Sequence, residues 1–188
     1  MNIAVYSGSF NPLHIGHLAI IKHMIEAAGF DMVYLIVSPK NPLKDGISAS
    51  TGLDRYNSAI EAVNRHFCAG KARVLVDDIE LNMPEPHYTV RTLKALADRE
   101  PENAFTFVMG ADNLADIRRW RDYTTILKDF GVAVFPRTGH DLSQIKQDLL
   151  NEDPAYRIQI LDAPLVDISS TQIREAIANG EDPSKFLM

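Results

Sequence analysis

The chain has 188 residues, 46% hydrophobic and 23% charged, a profile of one globular domain rather than of a disordered, collagen-like or disulfide-scaffold chain. Lys and Arg number 19 against 25 Asp and Glu, and the net charge of -6 argues against holding nucleic acid through an overall field; any polyanion must meet a local basic site. The lone cysteine, Cys68, excludes an internal disulfide and a thiolate zinc cluster, and the apolar runs are broken too early for a membrane span, so a reducing, cytoplasmic address without a secretion signal is expected.

Residues 2–7 (NIAVYS) are apolar on both faces and stop at Gly8, which predicts a buried strand. Similar runs follow at 31–38, 72–77, 104–109, 131–135 and 156–161. Helical spacing fills the gaps: Leu18, Ile21, Ile25 and Ala28 in the first, Leu53, Ala59, Ile60 and Val63 in the second, Val90, Leu93 and Ala97 in the third. Strand alternating with helix implies βαβ crossovers, hence an α/β, Rossmann-like, doubly wound and mostly parallel sheet with helices on both faces. Thr51 with Asp54 has the form of a helix cap, and Ser169 and Ser170 precede a helix that Gly180 can close. Residues 39–50 and 82–87, rich in Pro and small polar residues, read as active-site loops. If the strand order is 3-2-1-4-5, the binding crevice opens between strands one and four.

The loop after the first strand carries the chemistry. Gly8-Ser9-Phe10-Asn11-Pro12-Leu13-His14-Ile15-Gly16-His17 is neither a G-x-G-x-x-G nor a P-loop, so phosphate must be held another way. Gly8 permits a tight turn off the strand, Pro12 fixes the loop and Gly16 lets a helix start approach a ligand closely. His14 and His17, three apart, share one side of that helix's first turn beside the positive end of its dipole. An isolated pair of histidines is usually structural, but the fixed string G-x-F-x-P-x-H-x-G-H arises by chance at roughly one position in 10⁸.

These residues resemble the nucleotidyltransferase superfamily that carries a His-x-Gly-His element after the first strand, in which the pair binds nucleoside triphosphate phosphates. Ile168-Ser169-Ser170-Thr171-Gln172-Ile173-Arg174 is similar to its I-S-x-T-x-x-R element, which places Ser169, Thr171 and Arg174 at a helix N-terminus suited to a triphosphate. His14 in place of Thr, Glu80 with Pro86-His87-Tyr88-Thr89-Val90-Arg91-Thr92-Leu93, and Phe107-Val108-Met109-Gly110-Ala111-Asp112-Asn113-Leu114 followed by Trp120 resemble the bacterial nicotinate-mononucleotide adenylyltransferase branch, His87 standing where Ser is usual.

Gly110 ends a strand, Asp112 can accept from a ribose hydroxyl, and the polar surroundings of Trp120 make its indole a platform for a pyridine ring, a stack contributing ~1–3 kcal/mol. Lys44 and Arg137 stand on loops able to neutralise phosphate. The resemblance implies one nucleotidyltransferase domain over 1–188 that moves AMP from ATP to nicotinate mononucleotide, with His14, His17, Lys44 and Arg174 as the catalytic set. Gly8, Ser9, Phe10, Tyr88, Thr89, Gly110, Asp112, Trp120, Arg137, Ser169 and Thr171 then bind substrate. Mg²⁺ is expected mainly on the substrate phosphates, an imidazole beside a polyphosphate is expected to gain protons easily, and a homo-oligomer is left open. Nicotinamide mononucleotide and phosphopantetheine stand as alternative acceptors. His14-Ile15-Gly16-His17 also spells the HIGH element of class I aminoacyl-tRNA synthetases, but 188 residues leave no room for a tRNA-binding domain and no K-M-S-K-S follows. A non-catalytic nucleotide sensor would show a damaged motif, and none is seen.

Overall fold

The computed structural model describes residues 1–39, 51–67, 73–163 and 168–188. Every apolar run contains a strand: β1 (Asn2–Gly8), β2 (Met32–Val37), β3 (Val74–Asp77), β4 (Ala104–Gly110), β5 (Val132–Phe135) and β6 (Ile158–Ile160). They form one sheet in the order β3-β2-β1-β4-β5-β6, every neighbouring pair parallel. The expected order therefore holds, with β6 added at the far edge. Chain direction reverses its march at β1, whose Ile3 stands opposite Met32 of β2 on one side and Phe105 of β4 on the other. Ligands of such sheets bind outside the carboxyl ends of the strands at this point.

The connections are α1 (Ile15–Glu26), α2 (Gly52–His66), α3 (Thr89–Arg99), α4 (Ala111–Ala115), α5 (Tyr123–Thr125), α6 (Leu142–Glu152) and α7 (Ser170–Ala178). Alternate strand residues feed two separate cores, because successive side chains leave a strand on opposite faces. Ala4, Tyr6, Val33, Leu35, Val37 and Phe135 pack with α1 and α2. Ile3, Val5, Phe105, Phe107, Met109 and Val134 pack with α3 and α6. A sheet buried on both faces has no room for polar alternation, which is why its strands read as unbroken apolar runs.

Two helical expectations shift. Ala28 lies beyond α1, which ends at Glu26. Leu53, expected on the buried stripe of α2, is 60% exposed, and Arg55 is buried on that face beside Ala59, Ala62 and Val63. The Thr51 cap forms as read: its side chain accepts from the Asp54 N–H at 3.1 Å, and the Asp54 carboxylate accepts from the Thr51 N–H at 2.9 Å. Thr51→Ala is expected to cost about 1 kcal/mol of stability, measured as a lower urea midpoint with the denaturant slope unchanged.

Candidate active site

The chain leaves β1 at Gly8 and reverses through Phe10, whose φ of 43° lies in the left-handed region. A bulky residue there costs roughly 1–2 kcal/mol. Burial of the ring offsets it: Phe10 is 5% exposed and meets Tyr6 and His17 edge-on at centroid distances of 5.5 and 5.1 Å. Gly8 leaves room for that ring, which a Cβ there would approach to 3.2 Å.

His14 is the N-cap of α1, and with His17 it closes a reciprocal capping box. The Gly16 N–H donates to His14 Nδ1 at 3.2 Å, and the His14 N–H donates to His17 Nδ1 at 3.2 Å. Each Nδ1 therefore acts as an acceptor, which fixes both neutral imidazoles as the Nε2–H tautomer. The rings stack at 3.7 Å with 29° between planes. Two N–H donors are thus held side by side at the start of a helix.

Without a polyphosphate beside them, both rings resist protonation. Burial, followed by the charge of Arg137, lowers the His14 pKa to about 4. Burial, then His14, then Arg137 hold His17 well below the ordinary imidazole range. The unfolded chain titrates its imidazoles near 6.5, so it binds protons below that pH which the folded chain refuses. Above pH 6.5 the histidines add no pH dependence; from there down toward pH 4 stability falls, by up to about 1.4 kcal/mol per pH unit for each such group. The melting temperature should drop between pH 7 and 5, and His14→Asn, which keeps an N-cap but not the titration, should flatten that drop.

Residues from four chain segments meet here. Arg137, just past β5, lies over the Phe135 ring at 5.3 Å and is exposed. Asp112, in the first turn of α4, folds back over Gly110: a Cβ on that glycine would lie 2.5 Å from Asp112 Oδ1 and 3.2 Å from the Phe135 ring. Both charges act on Tyr6, whose hydroxyl burial raises well above its usual range. From the C-terminal segment, Arg174 Nη1 donates to the Asn11 carbonyl at 2.7 Å, and Ser170 Oγ donates to the Pro12 carbonyl at 3.1 Å. Leu187 bridges His14.

The I-S-x-T-x-x-R hydroxyls are engaged within the protein. Ser169 caps α7 against Gln172, and Thr171 Oγ1 accepts from Arg174 Nη2 at 3.0 Å. Arg174 keeps further N–H donors, since a guanidinium has five. Ser9 supplies a carbonyl to Arg55 at 2.6 Å. Sequence reasoning passed over Arg55; its one sequence signal is a charge at a position where the helical stripe calls for an apolar residue.

Tyr88, Thr89 and Trp120 belong to the other face of the sheet. Tyr88 is the N-cap of α3, with Thr89 its first residue, and is 40% exposed. The Glu80 and Thr92 of the same sequence element are both buried and joined, Thr92 Oγ1 donating to Glu80 Oε1 at 2.8 Å. That bond, with Arg91 Nη1 donating to the Pro86 carbonyl at 2.7 Å, fixes the start of α3. Trp120 is half-buried, its indole edge-on to Phe107 at 5.8 Å. The segment before it is less polar than it reads, for Ile117 is fully buried and anchors it. Lys44 lies outside the described residues, as does Cys68.

Comparison with known proteins agrees with this arrangement. Residues 5–176 match the family model described as cytidylyltransferase-like. A protein of Flavobacterium psychrophilum named "Probable nicotinate-nucleotide adenylyltransferase" is 41% identical over 187 residues, covering 100% of this chain and 92% of that protein. One of the same name from Flavobacterium johnsoniae is 36% identical with the same coverage. The solved nicotinic acid mononucleotide adenylyltransferase of Plasmodium falciparum, complexed with NaAD, shares the fold at a TM-score of 0.79 and 21% identity, over 99% of this chain and 90% of that one. The paired histidines at the switch point of the sheet and these relatives agree: the chain belongs to the cytidylyltransferase-like family, on the branch of the nicotinate-nucleotide adenylyltransferases.

Proposed function

We propose that residues 1–188 work as one nucleotidyltransferase domain that moves AMP from ATP to nicotinate mononucleotide, forming nicotinate adenine dinucleotide and pyrophosphate. The observation that carries this is the stacked, reciprocally capped His14–His17 pair at the carboxyl end of β1, with Arg137 and Arg174 beside it. The acceptor phosphate is already an anion. One of its oxygens bonds to the α-phosphorus as the bond from that phosphorus to the bridging oxygen breaks, and pyrophosphate leaves with the electron pair. No proton needs to move, so the protein's work is alignment and neutralisation of charge.

In this reading the Nε2–H groups of His14 and His17 donate to phosphate oxygens as charge shifts to the leaving group. Arg174 and Lys44 share that load, and Arg137 meets the triphosphate from the far side. The loop of Gly8, Ser9 and Phe10 lies against the phosphates, with Ser169 and Thr171 at the α7 N-terminus. Asp112 beside Gly110 accepts from a ribose hydroxyl. Trp120 and the Tyr88–Thr89 turn receive the pyridine ring, where backbone N–H groups recognise its carboxylate.

Imidazole N–H and guanidinium donors complement phosphate oxygen rather than a cation, and among the described residues no group of three His, Cys, Asp or Glu could hold a metal ion. Mg²⁺ therefore fits as an ion carried by the triphosphate, Asp112 being the acid at hand. When bound it neutralises phosphate charge. Among the described residues no helix is long and apolar enough to cross a membrane.

A pyrophosphate-release assay across nicotinate mononucleotide, nicotinamide mononucleotide, phosphopantetheine and flavin mononucleotide tests the reading. The acid is expected to exceed the amide in kcat/KM at least about tenfold, or ~1.4 kcal/mol. Equal rates for acid and amide refute the acceptor assignment, and ATP binding without pyrophosphate from any acceptor refutes catalysis.

A further inference from the structure

Arg55 sits on the apolar face of α2, 7% exposed, where its guanidinium meets main-chain oxygens. Nη1 donates to the carbonyls of Ser9 at 2.6 Å and Ser38 at 2.8 Å, and Nη2 donates to that of Pro39 at 2.8 Å. Ser9 opens the loop after β1, and Ser38 and Pro39 open the loop after β2. One buried cation therefore joins the two loops that leave neighbouring strands at the ligand end of the sheet.

The loop after β1 is held in the same manner along its length. The Asn11 carbonyl accepts from Arg174, that of Pro12 from Ser170, and that of Leu13 from the Met188 N–H at 3.4 Å. Three elements, α2, α7 and the C-terminal segment, thus draw its carbonyls outward. In a trans peptide the N–H of the next residue points opposite to the carbonyl. Holding Ser9 O against α2 turns the Phe10 N–H away from that helix, and holding Leu13 O turns the His14 N–H toward its bond with His17 Nδ1. Phe10 is also the residue with φ of 43°, next to the carbonyl that Arg55 grips. A backbone conformation of this kind persists only where its surroundings over-determine it.

We infer that Arg55 is a positioning residue for the proposed adenylyl transfer: its carbonyl clamp fixes the loop after β1 so that backbone N–H groups and the histidine pair face the triphosphate in one geometry. The inference rests on the reading of the site given above. Arg55 touches no substrate; it acts through Ser9 and Phe10. Removing it leaves three carbonyls without their shared donor and frees the loop to relax the strained residue. Lysine keeps the charge but lacks the planar fork that reaches three acceptors at once.

The experiment compares Arg55→Met, Arg55→Lys and Arg55→Ala with the unsubstituted chain in the pyrophosphate assay, each at a temperature where circular dichroism shows it fully folded. Arg55→Met fills the space and protects folding. Its kcat is expected to fall about 10²-fold, as for a misplacement near 1 Å, with KM for ATP changed far less, and Arg55→Lys should retain only part of the activity. A cavity of about 240 Å³ lined by Arg55, Phe10, Asn11, Pro12 and Met188 gives a small cation access. Guanidinium at non-denaturing, millimolar concentration should therefore restore Arg55→Ala saturably, whereas equal sodium chloride does not, and Arg55→Met should stay unrescued. Activity of the Met and Ala variants within threefold of the unsubstituted chain, or losses that only track the unfolded fraction, would overturn the inference. An unsubstituted chain that releases no pyrophosphate overturns the reading of the site itself.

Discussion

Replacing His17 with alanine is expected to lower kcat by roughly 10²–10³-fold, the usual cost of removing one preorganised donor from a developing oxyanion. KM for ATP should move less, because the interaction strengthens as charge passes to the leaving pyrophosphate. Two losses coincide in the variant. The Nε2–H donor disappears, and the His14 N–H loses its acceptor, which unties the ring stacked at 3.7 Å. His17→Gln separates the two effects. Glutamine at the third helical position can reach back to the N-cap N–H, as in a regular capping box, so His14 stays in place. The glutamine variant should therefore recover most of the melting temperature lost by the alanine variant while turnover remains low. Steady-state pyrophosphate release and thermal melts check both parts. If the alanine variant keeps activity within severalfold, His17 does not belong to the phosphate site.

The split between what the sequence discloses and what it hides follows from the range of the interactions involved. Strand positions are legible because a sheet covered on both faces requires unbroken apolar runs, and Ile3 to Tyr6 or Val33 to Val37 satisfy that requirement residue by residue. The Thr51 and Ser169 caps are legible because their partners lie three residues away. The histidine string is legible through its composition, but its protonation is not, since burial and the charge of Arg137 arrive from β1 and β5 across the sheet. The bond from the Ser170 hydroxyl to the Pro12 carbonyl is hidden in sequence, because the two residues lie 158 positions apart. Arg55 escapes for the same reason. Its partners are carbonyl oxygens, and a carbonyl is present at every residue, so no side-chain pattern marks the three it joins. Trp120 falls between these cases: its residue type signals a flat surface, but the edge contact with Phe107 depends on how β4 and the following turns come together.

Gly16→Ala is expected to cost up to about tenfold in kcat/KM with little loss of stability, an outcome that helix propensity alone does not imply. Gly16 is the second residue of α1 and has no left-handed φ, so its backbone accepts alanine, which is favoured over glycine in a helix by up to ~1 kcal/mol. The difficulty is space. An added Cβ would stand 3.0 Å from Cε1 and Nδ1 of His14 and 3.2 Å from Cγ2 of Ile168. Both neighbours belong to the proposed phosphate site: the His14 ring is stacked on His17, and Ile168 leads into the Ser169 cap of α7. Either the imidazole shifts off the Gly16 N–H or the α7 N-terminus retreats, by a few tenths of an ångström, and where about 1 Å costs ~10²-fold in a reaction governed by alignment, a shift of that size costs up to about tenfold. Gly29→Ala is the matching control. Gly29 has a φ of 82° with nothing within 4 Å of its added Cβ, so the strain there costs stability, about 1 kcal/mol, and turnover should stay unchanged. Gly16→Ala should therefore lose pyrophosphate-release rate while holding its melting temperature, and Gly29→Ala should lose melting temperature while holding its rate. Should Gly16→Ala instead retain turnover and gain stability, the close approach of His14 to the start of α1 has no part in catalysis.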